Sequence, residues 1–301
     1  MKRHGILAVC VFFLGLSFLA GAEQTAFDGV EARFSKSDTD RRFIEKDSEL
    51  ILDDGAQKLM VKNDEHPLEV SYNDIQKVVF DVSTHRRGAN WVFAVSPVVG
   101  EARAGKHVSD HWCYLEYKRP DASVQSYLLE IPEKWSQNVI DKMQASLGGN
   151  VTIAEFPEKE ESINKNTLKD VHSKYDVKVE KDTHPLPVMK PGKALVVVVC
   201  SAPTARFYQK GLDAKLHAND NVVAVNNEGT YAFAYLGPGE YLLVSQPGDA
   251  SGLRMKLEAG KDYYFLEVQD AVNRRTTLSR HSKELIMYEI SGAYYSDWKP
   301  K

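Results

Sequence analysis

A chain of 301 residues with 43% hydrophobic side chains is long enough for two ordinary globular domains and too apolar for a disordered protein. Its formal charge of −4, from 38 Lys and Arg against 42 Asp and Glu, lacks the basic excess of a dedicated nucleic-acid binder, so nucleic acid is excluded as the expected partner. Three cysteines make no disulfide framework, and stability has to come from hydrophobic cores.

The first 22 residues stand apart. Lys2, Arg3 and His4 form a basic head, 6–19 is almost wholly apolar, and Ala20-Gly21-Ala22 is a small-x-small cleavage pattern. We read 1–22 as a cleaved secretory signal peptide, with retention as an uncleaved anchor the alternative. Cys10 fits a lipoprotein box badly, because bulky Val9 precedes it. No later run has the length of a membrane span, so no transmembrane span is expected in the mature chain. The expected location is exported: periplasm or cell envelope, or secreted.

A first domain is expected over 30–156. Residues 48–62 read as strand, Asp53-Asp54-Gly55 turn, strand, and 68–72 and 77–82 supply two more strands. Residues 112–117 and 124–131 form another pair. After Pro132 the period changes to helical: Trp135, Val139, Ile140, Met143 and Leu147 share a face, and Gly148-Gly149 follows as a stop.

Glu49-Leu-Ile-Leu-Asp-Asp-Gly, Leu68-Glu-Val-Ser-Tyr-Asn-Asp-Ile-Gln-Lys-Val-Val-Phe, Tyr114-Leu-Glu-Tyr and the helix ending Leu147-Gly148 resemble bacterial members of the pleckstrin-homology-like superfamily, including GRAM-type domains. The resemblance implies a small bent β-barrel capped by the C-terminal α-helix, used to bind lipids, peptides or proteins and seldom for catalysis. Fold analogy does not transfer a ligand. An insert interrupts this pattern. Its apolar loop, 88–106, carries Trp91 and Phe93 and is flanked by Arg86 and Arg87, a composition suited to a membrane interface, with the rings anchoring and the arginines meeting phosphates. A buried strand or a cover over the barrel is the plainer reading.

Residues 157–192 are charged and proline-containing and are expected to be a linker, with Tyr175, Val177 and Val179 open to docking as a strand. From 193 to 301 strand follows strand, and an antiparallel β-sandwich is expected, with a core separate from that of the first domain. Its organising stretch is 230–244. Tyr231, Phe233 and Tyr235 alternate with Ala232, Ala234 and Leu236, and Pro238-Gly239 is read as a type II turn reversing the chain into a hairpin. Lys193-Ala-Leu-Val-Val-Val-Val, Gly229-Thr-Tyr, Leu236-Gly-Pro-Gly-Glu-Tyr and Ala259-Gly-Lys-Asp-Tyr-Tyr-Phe resemble the exported bacterial family called domain of unknown function 2846, which brings no activity or catalytic residue with it. Beyond 270, the basic run of Arg274, Arg275, Arg280, His281 and Lys283 reads as a solvated face, and 285–290 as a returning edge strand or a short helix.

Chemistry is sparse. His107 and His111 are the only close histidines flanking a carboxylate, Asp110, and as a metal pair they are weak candidates without a second ligand motif. Cys113 and Cys200 are chemically able to form a disulfide, but buried free thiols suit their strand-like settings better. No nucleophile elbow, zinc helix, phosphate loop or Cys-x-x-Cys pair occurs, and no cofactor is expected. The expectation is a non-enzymatic, exported binding or scaffold protein whose partner is an envelope protein, lipid or glycan. Two alternatives stay open: a peripheral membrane protein using loop 88–106, and an envelope glycan or lipid hydrolase with an unrecognised active site.

Overall fold

The computed structural model describes residues 24–35, 43–86, 107–156, 158, 160–162, 175–181, 184–200, 213–247, 251–270 and 275–301. Period-2 patterning in the first third produces a meander of β1 (Gln24–Ser35), β2 (Phe43–Asp53), β3 (Lys58–Lys62) and β4 (Leu68–Ser71). A second meander follows with β5 (Ile75–Arg86), β6 (His107–Lys118) and β7 (Val124–Glu130), and β7 returns to pair with β1. Then comes α1 (Glu133–Leu147), which buries Val139, Ile140 and Met143 and packs Trp135 and Leu147 at the margin. Gly148 ends it at φ 59°, a left-handed conformation that a side chain would strain.

This first unit is not a closed barrel. The eight-stranded sheet runs β4-β3-β2-β1-β7-β6-β5-β8 and stays open, with β4 and β8 (Val151–Glu155) at its edges. The reason is local: after α1 the chain lays β8 parallel to β5, Val78 against Val151, and so fills the edge through which the sheet would otherwise close.

The rest of the chain forms two facing sheets. One contains β10 (Tyr175–Glu180), β11 (Ala194–Cys200), β14 (Thr230–Leu236), β17 (Asp262–Asp270), β18 (Arg275–His281) and β19 (Tyr294–Pro300), in the order β10-β19-β14-β11-β17-β18. The other contains β9 (Glu160–Ser162), β12 (Ala214–Ala218), β13 (Asn221–Asn226), β15 (Gly239–Gln246) and β16 (Ser251–Leu257), in the order β13-β12-β15-β16-β9. The 157–192 stretch thus supplies an edge strand to each sheet, and Val177 pairs with Trp298. Residues 285–290 fall within α2 (Lys283–Ser291), capped by the Ser282 hydroxyl.

Two expectations about this sandwich are corrected. It is not wholly antiparallel, because β11 lies parallel to β17 and β14 parallel to β19. All seven residues of β11 are buried, as suits an inner strand covered on both faces. Second, β14 and β15 are not a hairpin. They lie in opposite sheets, and Gly237-Pro238 carries the chain across the gap, roughly 10 Å between packed sheets, instead of reversing it within one. Gly239 has φ 156°, far from the value a type II turn needs at that position. The face assignment of β14 does hold: Ala232 points into the sandwich core, and Tyr231, Phe233 and Tyr235 point out of it.

Nor are there only two cores. One lies under α1 and a second between the sandwich sheets, but a third joins the units. Along β5, Val78 and Phe80 face the first core while Val79 faces the seam; along β6, Cys113 and Leu115 alternate with Trp112 and Tyr114 in the same way. Val79, Trp112, Tyr114 and Leu128 meet Leu195, Val197, Val199 and Leu266, with Leu285, Ile286 and Ile290 of α2 seated among them. Each such side chain contributes roughly 1.5–3 kcal/mol when removed from water, so the seam is a structural core.

Candidate functional site

Of the residues singled out in the sequence, Arg87, Trp91 and Phe93 lie outside the described residues, as do Cys10 and the leader, and of Arg86 and His107 only the backbone is described. His111 is held by α1: its Nδ1 is 2.9 Å from Ser136 Oγ, and its Nε2 is buried without a hydrogen-bond partner. Among the described residues, no three His, Cys, Asp or Glu side chains are grouped to hold a metal. Cys113 and Cys200 are buried free thiols, not a disulfide. Burial pushes Cys113 up to about 12, and burial followed by the charge of Glu267 pushes Cys200 well above its ordinary value, so neither offers a thiolate near neutrality.

The structure instead gathers polar chemistry inside the seam. Asp81 follows Val79 on the same face of β5 and is 1% exposed; His281 ends β18 and is 2% exposed. Asp81 Oδ1 is 3.0 Å from His281 Nδ1, and Oδ2 accepts the Ser282 backbone N–H at 2.5 Å. On the far side of the ring, His281 Nε2 is 2.8 Å from Ser279 Oγ. A carboxylate only accepts, so Nδ1 carries a proton, and in the neutral ring Nε2 accepts the serine hydroxyl. The atoms are ordered as in an acid–base–hydroxyl triad, but Ser279 is only 8% exposed.

A second buried pair lies further along α2. Arg33 Nη1 is 3.1 Å from Glu289 Oε1, while Arg33 Nη2 donates to Oε2 at 3.3 Å, a forked contact across the units. The guanidinium also lies over the rings of Phe43 and Trp112, at 4.9 and 5.6 Å from their centroids. The Tyr288 hydroxyl donates to the Arg33 carbonyl, and burial pushes its pKa above the ordinary tyrosine range. Nearer solvent, Lys77 and Glu284 pair at 2.6 Å.

No family model matches this chain, and no curated protein matches it either. Among the described residues no helix is long and apolar enough to cross a membrane, which leaves strands unaddressed.

Within the sandwich, Glu267 is fully buried, and it accepts from Ser245 Oγ at 2.7 Å and from Asn226 Nδ2 at 3.1 Å. Desolvation outweighs both hydrogen bonds and raises its carboxyl to about 7. On the outer face of the six-stranded sheet, the aromatics of β14 form a ladder with Tyr295 of β19. Phe233 sits 5.5 Å from Tyr295 and 5.8 Å from Tyr235, ring centroid to ring centroid.

Sequence reasoning missed Asp81, His281, Arg33 and Glu289, and it took the basic run around Arg280 and His281 for a solvated face. Arg280 is in fact drawn onto Glu158 and stacked over Phe156 and Tyr263. One signal was present. Asp81 in Val-Val-Phe-Asp-Val and Glu289 in Leu-Ile-Met-Tyr-Glu-Ile are single acids inside apolar runs, where burial demands a partner.

Proposed function

We propose that this chain is an exported envelope protein of binding or scaffold type, with a pleckstrin-homology-like first unit and a second unit similar to domain of unknown function 2846. The observation that carries the reading is the seam. A buried Arg33–Glu289 ion pair and a buried Asp81–His281 hydrogen bond cross between the two β units, and a shared apolar core fixes them in one orientation. Such spending of buried polar groups suits a rigid display surface. The strand order β4-β3-β2-β1-β7-β6-β5 followed by α1 supports the first unit's assignment, and the residues quoted above support the second. Fractionation of the producing cells and co-purification from envelope extracts test it. A chain left in the cytoplasm, or one that enriches no envelope protein, lipid or glycan, counts against it.

The apolar loop 88–106 adds a membrane-contact reading that rests on sequence alone. Liposome flotation of the wild type beside Trp91→Ala/Phe93→Ala decides it, since equal flotation of both removes the loop's role.

A hydrolase reading has one observation in its favour, the Ser279–His281–Asp81 order. Ser279 Oγ would attack an ester carbonyl while His281 takes its proton, but the hydroxyl first has to be uncovered. Reaction with a fluorophosphonate, followed by mapping of the adduct, separates the cases. Labelling at Ser279 that is lost in His281→Ala supports hydrolysis, and no adduct there removes it.

A further inference from the structure

The aromatic ladder on β14 is not bare. Residues 184–190, His-Pro-Leu-Pro-Val-Met-Lys, run across it without joining either sheet. The Tyr231 hydroxyl donates to the His184 carbonyl at 3.3 Å, and the Tyr235 hydroxyl donates to the Val188 carbonyl at 2.7 Å. The His184 ring stacks on Tyr295, with centroids 3.7 Å apart and planes at 8°, and Lys190 Nζ lies 4.1 Å above the Tyr235 ring. Leu186 is 46% exposed and Val188 81% exposed, so of the segment's aliphatic side chains only Met189 packs against the cluster that includes Tyr231, Phe233 and Tyr235, and the polar and ring contacts supply the rest of the hold.

The spacing explains the fit. Tyr231 and Tyr235 are four residues apart on a strand, roughly 13–14 Å. The two carbonyls they grip are also four residues apart, which an extended proline-type chain spans in roughly 12 Å and a helix in only about 6 Å. Pro185 and Pro187 sit between those carbonyls and fix φ near the extended value, which lowers the entropy lost on docking. Hydroxyls to carbonyls, a ring on a ring and a cation over a tyrosine are the elements by which aromatic grooves read proline-spaced peptides.

We propose that the face formed by Tyr231, Phe233, Tyr235 and Tyr295 is a seat for an extended proline-spaced peptide. Residues 184–190 are its resident occupant, and a segment of like chemistry on a partner protein displaces them. The segment it selects has a ring at the first position, prolines at the second and fourth, and a cation at the seventh. This names the partner class within the binding reading and rests on it. Because the occupant is tethered at both ends, by β10 and β11, it competes at a high effective concentration, and a free peptide binds measurably only when the tethered copy is weakened.

The test uses the chain from residue 23 and a labelled synthetic peptide of residues 184–191, with binding followed by fluorescence anisotropy. His184→Ala/Lys190→Ala loosens the occupant without altering the seat and is expected to bind the peptide at least tenfold more tightly than the wild type. Adding Tyr231→Phe/Tyr235→Phe to that variant removes most of the gain, and a peptide with its prolines replaced by glycine binds at least tenfold more weakly. Unfolding curves confirm that each variant is folded. If the folded, loosened variant gains nothing over the wild type, or if its gain survives loss of both tyrosine hydroxyls, the seat is overturned. An envelope partner retained in full by Tyr231→Phe/Tyr235→Phe also overturns the seat while leaving the binding reading intact. Peptide capture without any envelope partner supports the seat and counts against the wider reading.

Discussion

Arg33 of β1 and Glu289 of α2 meet 256 positions apart in the chain, both almost fully buried, through two nitrogen–oxygen contacts of 3.1 and 3.3 Å. Neither charge has bulk water to fall back on. Arg33→Met leaves Glu289 buried opposite a thioether and is expected to cost about 3–5 kcal/mol, whereas Arg33→Met/Glu289→Leu recovers most of the loss because the fully buried carboxylate is gone and Glu45, the other acid beside Arg33, is 28% exposed and reaches water. Urea denaturation of the three chains checks this. A double variant as unstable as the single one would show that packing, not charge, sets the effect.

Glu267 makes stability depend on pH. In the folded chain its carboxyl keeps a proton up to about pH 7, while the ordinary value is 4.5. Between these values the folded state binds more protons than the unfolded one, so stability falls as pH rises through the window and the loss is complete above it, about 3 kcal/mol in all. Half-buried Glu228, also raised to about 7 by desolvation, acts in the same direction. Glu267→Gln is expected to raise the melting temperature relative to wild type at pH 8 and to do so much less at pH 5. An equal shift at both pH values would contradict the assignment.

Gly252 of β16 leaves no room for a side chain. A Cβ there meets Val244 Cγ2 at 2.7 Å and the Leu243 carbonyl oxygen at 2.8 Å, and the second of these is backbone that cannot rotate away. Gly252→Ala is expected to destabilise by about 1–3 kcal/mol and to loosen the adjoining β9, whose Glu161 pairs with Gly252. Proteolysis between the units, faster in the variant, reads this out directly. Unchanged cleavage and an unchanged unfolding midpoint would refute it.

The two buried thiols are expected to be silent. In the chain from residue 23, native Cys113 and Cys200 react with a thiol reagent only as fast as the structure opens, and both react at once in guanidinium. A free-thiol count below two in guanidinium without reductant would instead reveal a bridge.

Most strands were legible because their faces repeat with period 2: Tyr231, Phe233 and Tyr235 fall on one side of β14, and Val78 and Phe80 fall opposite Val79 and Asp81. Periodicity, however, reports which face is buried and not against what. With only that to go on, the Pro238-Gly239 turn signal placed β14 and β15 in one hairpin when they belong to opposed sheets, and it was missed that β5 and β6 are apolar on both faces because a second unit lies on them. The polar pairs were harder still. His281 and Asp81 are 200 residues apart, and nothing local in Ser-Arg-His-Ser identifies a carboxylate in the other unit as its destination.

Helix α2 also sets a timetable. It is the penultimate element of the described chain, yet it wedges between β6 and β7 of the first sheet and β11 and β17 of the second unit. Until residue 291 has been synthesised, Val79, Trp112, Tyr114 and Leu128 lack the part of their cover that Leu285, Ile286 and Ile290 supply, and the seam stays partly open to solvent. A growing or truncated polypeptide is thus most vulnerable to clumping in the interval when its first sheet is already formed and its closing wedge has yet to arrive.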